Sequence, residues 1–330
     1  MWYVYCRRTT FFILSFHKIG CIRKNIQVNL MLFHSFALSF YKIGCIRKNI
    51  QVNLMFFTHL HYLCTINHSS ILFWAKNEDD YYRKTKQGMK AIVMGATSGI
   101  GKEVALNLAA KGWEVAIAGR RSEKLQEVVA MADGGIVGYK QIDINDEDAP
   151  AKLRSLIAEI GGMDVYFHSS GIGWQNNMLD MEKELATVET NGLGFTRMVG
   201  TAYNWFAENG CKGRIACISS IAGTKGLGAA PAYSATKRFQ NHYLECLSQQ
   251  ARMRKLPIAI TDIRPGFVAT DLIAGTAYPL QLKAKDVAED IVKAIDRGKE
   301  VKVVDWRYAV LVFLWRLMPR WMWVRMKIAK

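Results

Sequence analysis

No aspartate or glutamate occurs before Glu78 in this 330-residue chain. Residues 1–88 carry 12 Lys/Arg against three acids (Glu78, Asp79 and Asp80), so +9 of the formal charge of +16 lies there. The rest holds +7, gathered in its last turns, and no patterned basic groove for nucleic acid is present. Lys, Arg, Asp and Glu are all missing from Ile50 to Trp74, but Gln51, Asn53, His59, His61, Asn67 and His68 break that stretch as a membrane span. Transit peptides share the lack of acids, yet they are Arg- and Ser-rich and amphipathic, which this segment is not. The seven cysteines show no C-x-x-C spacing and no Cys/His cluster, so no metal site is expected. Free thiols suit a reducing, cytoplasmic setting.

Ser15–Met31 returns almost letter for letter as Ser39–Met55, with Tyr41 in place of His17. Two near-identical copies fall short of the three or more repeats, drifted in sequence, that a solenoid needs. Residues 1–88 are therefore expected to be a poorly folded extension, with Met89 as the start of the functional chain. A membrane anchor is the alternative.

From Met89 onward the pattern changes. Met89–Met94 is a short buried strand, and Gly95-Ala96-Thr97-Ser98-Gly99-Ile100-Gly101 leads into a helical periodicity. Glycines at a strand-to-helix turn let backbone approach a pyrophosphate at the positive end of a helix; the bland alternative is a tight turn that binds nothing. A second strand, Glu114–Ala118, ends at Gly119-Arg120-Arg121. An acid at that strand end would bind the ribose hydroxyls of NAD, whereas two arginines suit a 2′-phosphate and so NADP(H), unless they are merely a solvated pair.

Further strands are expected at Ile136–Gln141, Asp164–His168, Arg214–Ile218, Ile258–Ile263 and Val301–Asp305, with a long helix over Glu184–Asn209 and another over Ala284–Asp296. Alternating strands and helices predict an α/β fold: a doubly wound parallel sheet of about seven strands. Tyr233-Ser234-Ala235-Thr236-Lys237 follows Ser220 by thirteen residues. Positions i and i+4 share a helix face, and an ammonium beside a phenol favours the phenolate. A tyrosine so tuned can give a proton to a carbonyl or take one from an alcohol. The pair alone occurs by chance on many helices.

Together these motifs resemble the short-chain dehydrogenase/reductase family over residues 89 to about 305, through Gly95/Gly99/Gly101, Asp143, Asn191, Ser220, Tyr233, Lys237 and Pro265-Gly266 in family order. The resemblance implies a single Rossmann-type catalytic domain with a tetrad of Asn191, Ser220, Tyr233 and Lys237. Tyr233 would be the general acid and Ser220 would hold the substrate oxygen. Lys237 would bind the nicotinamide ribose and lower the Tyr233 pKa, and Asn191 would support a relay water. It also implies cofactor contacts at Gly95, Thr97, Ser98, Gly99, Ile100, Gly101, Arg120, Arg121, Asp143 and Ile144. Further contacts would come from Ser170, Gly171, Tyr233, Lys237, Pro265, Gly266, Val268 and Thr270. The family is commonly homo-oligomeric.

Two positions depart from the family pattern. Its Asn-Asn-Ala-Gly is His168-Ser169-Ser170-Gly171 here, so the sheet contacts of the usual asparagine need a substitute, and its Thr-Gly is Met94-Gly95. His168 reads as a structural histidine rather than a base. About a dozen residues between Thr270 and Ala284 leave a short lid and an open cleft. Residues 306–330 open with four tryptophans and several arginines and no acid. That stretch suits either peripheral contact with an anionic membrane or packing on the domain or a partner. The expected activity is NADP(H)-dependent interconversion of a ketone and a secondary alcohol, on a lipid-like or extended small molecule such as a 3-oxoacyl chain. A non-catalytic NADP(H)-binding scaffold or sensor at a membrane surface is the alternative; an epimerase or dehydratase fits the glycine spacing less well.

Overall fold

Ala91–Met94 in the first strand are completely buried, as strands must be when helices cover both faces of a parallel sheet. The computed structural model describes residues 88–271, 278 and 280–326. The expectations for residues 1–87 lie outside the described residues, as does the lid at 272–277 and 279.

The chain alternates strand and helix: β1 (Lys90–Met94), α1 (Gly99–Ala110), β2 (Glu114–Gly119), α2 (Ser122–Ala130), β3 (Ile136–Gln141), α3 (Ala149–Glu159) and β4 (Val165–His168). A long helical stretch follows as α4 (Met181–Val188), a π-helical segment Glu189–Gly194 and α5 (Phe195–Asn209). Then come β5 (Gly213–Ile218), a 3-10 turn Ile221–Gly223, α6 (Pro231–Met253), β6 (Ile258–Arg264), β7 (Val268–Ala269), β8 (Leu282–Lys283), α7 (Ala284–Asp296) and β9 (Val301–Val303). Two C-terminal helices, α8 (Trp306–Leu317) and α9 (Arg320–Trp323), complete it. The seven-stranded sheet runs β3-β2-β1-β4-β5-β6-β9, parallel throughout, and β7-β8 form a separate two-stranded ribbon. This is the doubly wound Rossmann-type architecture.

One apolar layer sets Val104 and Leu108 of α1, Leu125 of α2 and Ile291 and Ile295 of α7 against Val93 and Phe167. The opposite layer sets Leu153 of α3, Met198 and Phe206 of α5 and Leu244 of α6 against Ile92, Tyr166 and Ile215. Strand order reverses between β1 and β4, so their carboxyl ends open a crevice at the topological switch point, where ligands of such sheets bind.

Two expectations are refined. The helix expected over Glu184–Asn209 contains a π turn around Asn191, and the last strand ends at Val303 rather than Asp305. The tail is helical but broken at Met318-Pro319, because proline removes the amide a continuing helix needs.

Candidate active site

The glycine turn after β1 closes on itself too tightly for side chains. Gly95 has φ +88°, and a Cβ there would sit 2.6 Å from the Ser170 amide nitrogen; one on Gly101 would sit 2.2 Å from the Gly95 oxygen. Gly99, at φ +56°, lies against Thr270, where a Cβ would be 3.0 Å from Cγ2. Helix α1 starts beyond Ser98 with no acidic residue in its first turn, leaving a positive helix end suited to phosphate. Such a close-approach cradle fits a dinucleotide pyrophosphate.

Arg121 Nη2 donates to Thr97 Oγ1 at 2.7 Å and to Ser98 Oγ at 3.0 Å, placing its guanidinium over the same turn. Arg120 lies 3.9 Å from Asp143. Gly119 at the end of β2 touches the turn as well, since a Cβ there would be 2.7 Å from Thr97 Cγ2. A side chain at that position would therefore need Thr97 to turn aside. Asp143 Oδ1 accepts from the Asn145 amide at 3.1 Å, and the carbonyl of buried Ile144 accepts from Arg197 at 3.0 Å.

At the carboxyl end of β5, Ser220 Oγ accepts from the Ala222 amide at 3.1 Å and so caps the 3-10 turn. Tyr233, near the start of α6, lies beside Ser220, whose hydroxyl favours the phenolate. Its ring lies flat against the loop after β4 at Gly173, where a Cβ would be 2.2 Å from Tyr233 Cδ2. Gly171 meets Asn191 Oδ1 and Lys237 Nζ in the same loop. One turn along α6, buried Lys237 has its Nζ 5.7 Å from the Tyr233 ring centroid and donates to Ile218 O at 3.1 Å and to Gln240 Oε1 at 2.9 Å. Gln240 Nε2 donates to Asn191 O at 2.9 Å, so the glutamine bridges Lys237 and the Asn191 backbone. The Asn191 side chain clasps Ile172, accepting from its amide at 2.9 Å and donating to its carbonyl at 2.7 Å.

All four tetrad positions therefore converge, but their electrostatics differ from expectation in one respect. The lysine faces Ile218 and Gln240, and burial raises the Tyr233 pKa above 10.0, with the neighbouring Ser220 hydroxyl opposing the rise. Burial lowers Lys237 to about 8, while the carboxylate of Asp262 opposes that shift. Gln240 was not singled out in the sequence; a polar residue three positions after Lys237, on its helix face, is the signal that could have found it.

His168 is structural. Burial and the Lys237 charge lower its pKa to about 3, its Nδ1 is 3.0 Å from Tyr166 Oη, and its ring meets Phe195 edge-on. Behind the serine, Asp262 accepts from Ser219, from Asn241 at 3.0 Å and from Arg264 Nε at 2.8 Å, a buried network tying β5 to β6. After β6, Pro265 O lies 3.5 Å from Ser220 Oγ, and Gly266 lets the Tyr308 ring pack where a Cβ would be 2.2 Å from Cζ. Val268 is buried, and its carbonyl accepts from Thr270 Oγ1 at 3.3 Å. An open cavity of about 1280 Å³ lies beside the start of α6, walled by Leu227, Ala235, Arg238, Trp323 and Val324 among others.

A glycine cradle at the switch point, beside a Ser-Tyr-Lys cluster, is the arrangement that a dinucleotide-dependent oxidoreductase needs. Residues 89–278 match the short chain dehydrogenase family, and the chain belongs to that family. An uncharacterized oxidoreductase of Myxococcus xanthus is 33% identical over 236 residues, 69% of this chain and 92% of that protein. A short-chain type dehydrogenase/reductase from Mycobacterium ulcerans superposes with a TM-score of 0.61 at 28% identity, covering 68% of this chain and 91% of that one. Actinorhodin polyketide ketoreductase, solved with NADPH, gives 0.58 at 25% identity over 66% of this chain and 95% of its own.

Proposed function

We propose that the protein interconverts a ketone and a secondary alcohol with NADP(H), on an extended or lipid-like carbonyl compound such as a 3-oxoacyl chain. The observation that carries this reading is the convergence of Ser220, Tyr233 and Lys237 beside the glycine cradle. A reduced nicotinamide cofactor held there would supply a hydride for the carbonyl carbon. Ser220 holds the carbonyl oxygen, and Tyr233 Oη gives that oxygen its proton. The high pKa of the phenol keeps it protonated for this role. Lys237 would bind the nicotinamide ribose, and Asn191 fixes the loop after β4 through Ile172.

Gly95, Thr97, Ser98, Gly99, Ile100 and Gly101 would receive the pyrophosphate on the α1 terminus, with Ser170 and Gly171 across the crevice. Asp143 and Ile144 would flank the adenine, and Pro265, Gly266, Val268 and Thr270 the nicotinamide. The preference for NADP(H) over NAD(H) rests on Arg121 at Thr97 and Ser98, on Arg120, and on glycine rather than an acid at position 119. The neighbouring ketoreductase solved with NADPH supports the same cofactor.

The test follows NADPH and NADH consumption against short ketones, 3-oxoacyl thioesters and lipid carbonyls, with and without Tyr233→Phe. The expected result is NADPH-preferring turnover, reduced at least about a hundredfold in the variant while NADPH binding persists. Turnover that is indifferent to Tyr233 would sink the assignment. Binding of NADPH with no turnover of any carbonyl would favour the scaffold.

A further inference from the structure

The C-terminal strap, Trp306–Met326, has two unlike faces. Its inner face is fastened to the domain: Tyr308 and Val312 pack on Ile221, the residue after Ser220. Tyr308 Oη accepts from the Phe267 amide at 3.2 Å and donates to Leu280 O at 3.0 Å. Lys225 Nζ donates to Met318 O at 2.8 Å, and Trp323 Nε1 to Gly226 O at 2.6 Å. These bonds fix the direction of the outer face.

That outer face is apolar. Val310, Phe313, Leu314 and Leu317 follow one another at helical spacing along α8, and Trp321 lies beyond the break in α9. All five are exposed, Phe313 to 60% and Trp321 to 63%. Leaving a side chain of this size in water forgoes about 1.5–3 kcal/mol. Such a continuous ridge marks an interaction surface rather than scattered exposure.

The charge beside the ridge identifies what covers it. Arg316, Arg320 and Arg325 are exposed, and no acid occurs from Trp306 to Met326. Arg307 is paired with Asp305, whereas Arg316, Arg320 and Arg325 make no ion pair among the described residues. A second copy meeting this face about a two-fold axis would bring like arginines together with nothing acidic in the strap to offset them. An anionic lipid surface offers both apolar depth for Phe313 and Trp321 and phosphates for the arginines. The helix lies on such a surface rather than crossing it. Twelve residues of α8 reach about 18 Å, against about 30 Å of bilayer hydrocarbon, and no helix among the described residues is long and apolar enough to span.

We infer that the strap is an interfacial docking surface for an anionic lipid membrane. The test mixes the full-length protein with vesicles of phosphatidylcholine, alone or with phosphatidylglycerol, and measures co-flotation. Wild type binds the anionic vesicles and releases them as salt rises. Phe313→Glu with Trp321→Glu, and separately Arg316→Gln with Arg325→Gln, lower that binding at least tenfold while NADPH binding and thermal melting stay at wild-type values. Brominated phosphatidylglycerol quenches wild-type tryptophan emission, and the conservative Trp321→Phe variant loses most of that quenching, a readout that does not depend on tolerance of charge. Three outcomes overturn the inference. Wild type fails to float with anionic vesicles; the paired variants float as well as wild type; or the Phe313/Trp321 pair breaks an oligomer in sedimentation without changing lipid binding, which assigns the face to a second copy.

Discussion

Lys237 is a lysine taken almost wholly out of water, and its burial brings its pKa from 10.5 to about 8. Its proton is therefore lost through a range where exposed lysines stay charged. If this ammonium binds the nicotinamide ribose, NADPH affinity holds below about pH 8 and weakens several-fold as pH rises through that value. Titration calorimetry across the range checks it, with Lys237→Met as the variant that binds weakly at every pH and shows no step. A flat wild-type profile would place the ammonium away from the cofactor. The residues proposed to carry the site stand out in the sequence because each belongs to a short local pattern: glycines at fixed spacing, Tyr233 and Lys237 one helical turn apart, Ser220 just past a strand end. The direction of the Tyr233 shift was not legible. It depends on burial by the loop after β4 and on where the lysine points, and both are set by residues distant in sequence such as Gly173 and Gln240.

The two loops that follow β1 and β4 divide the work of the site, and two glycines separate their contributions. A methyl at Gly101 would collide with the Gly95 carbonyl, a backbone atom that cannot swing aside, so the cradle itself must deform. A methyl at Gly173 would collide with the Tyr233 ring instead, so the phenol must move while the cradle stays. Gly101→Ala is expected to weaken NADPH binding at least tenfold. Gly173→Ala is expected to leave that binding within about twofold and to lower kcat by about tenfold or more, the penalty of misplacing a reacting group by an ångström. Fluorescence titration with steady-state rates reads both, and equal loss of binding in the two variants would refute the division. At this scale the sheet was largely legible, since buried strands read as short apolar runs. The π turn was not: Glu189–Gly194 continues the helical periodicity of its flanks. What distinguishes it is tertiary, the packing of Gly194 against Ile144 and Asn145 and the grip of Asn191 on Ile172. π turns inside helices are frequent at functional sites for this reason.

The core of the domain contains a histidine at the end of β4 as well as the lysine on α6, and both make its stability depend on pH. His168 is completely buried at the end of β4 and its pKa falls from 6.5 to about 3. The unfolded chain therefore binds a proton between those values that the folded chain does not. Stability linked to this site is complete above about pH 6.5 and is lost as pH falls toward about 3. Lys237 acts in the same sense in another window: its folded pKa is depressed, so the fold gains stability as pH rises from about 8 toward 10.5. The histidine stands where the family pattern has asparagine, which shares its short reach toward Tyr166 but cannot charge. His168→Asn is expected to flatten the acid limb of stability by up to one proton, about 1.4 kcal/mol per pH unit, whatever it does to stability at neutral pH. Urea unfolding of both proteins at a series of pH values below neutrality measures the slopes. Identical slopes would mean that His168 takes up its proton without opening the sheet, and that its environment is wetter than a site between Tyr166 and Phe195 allows.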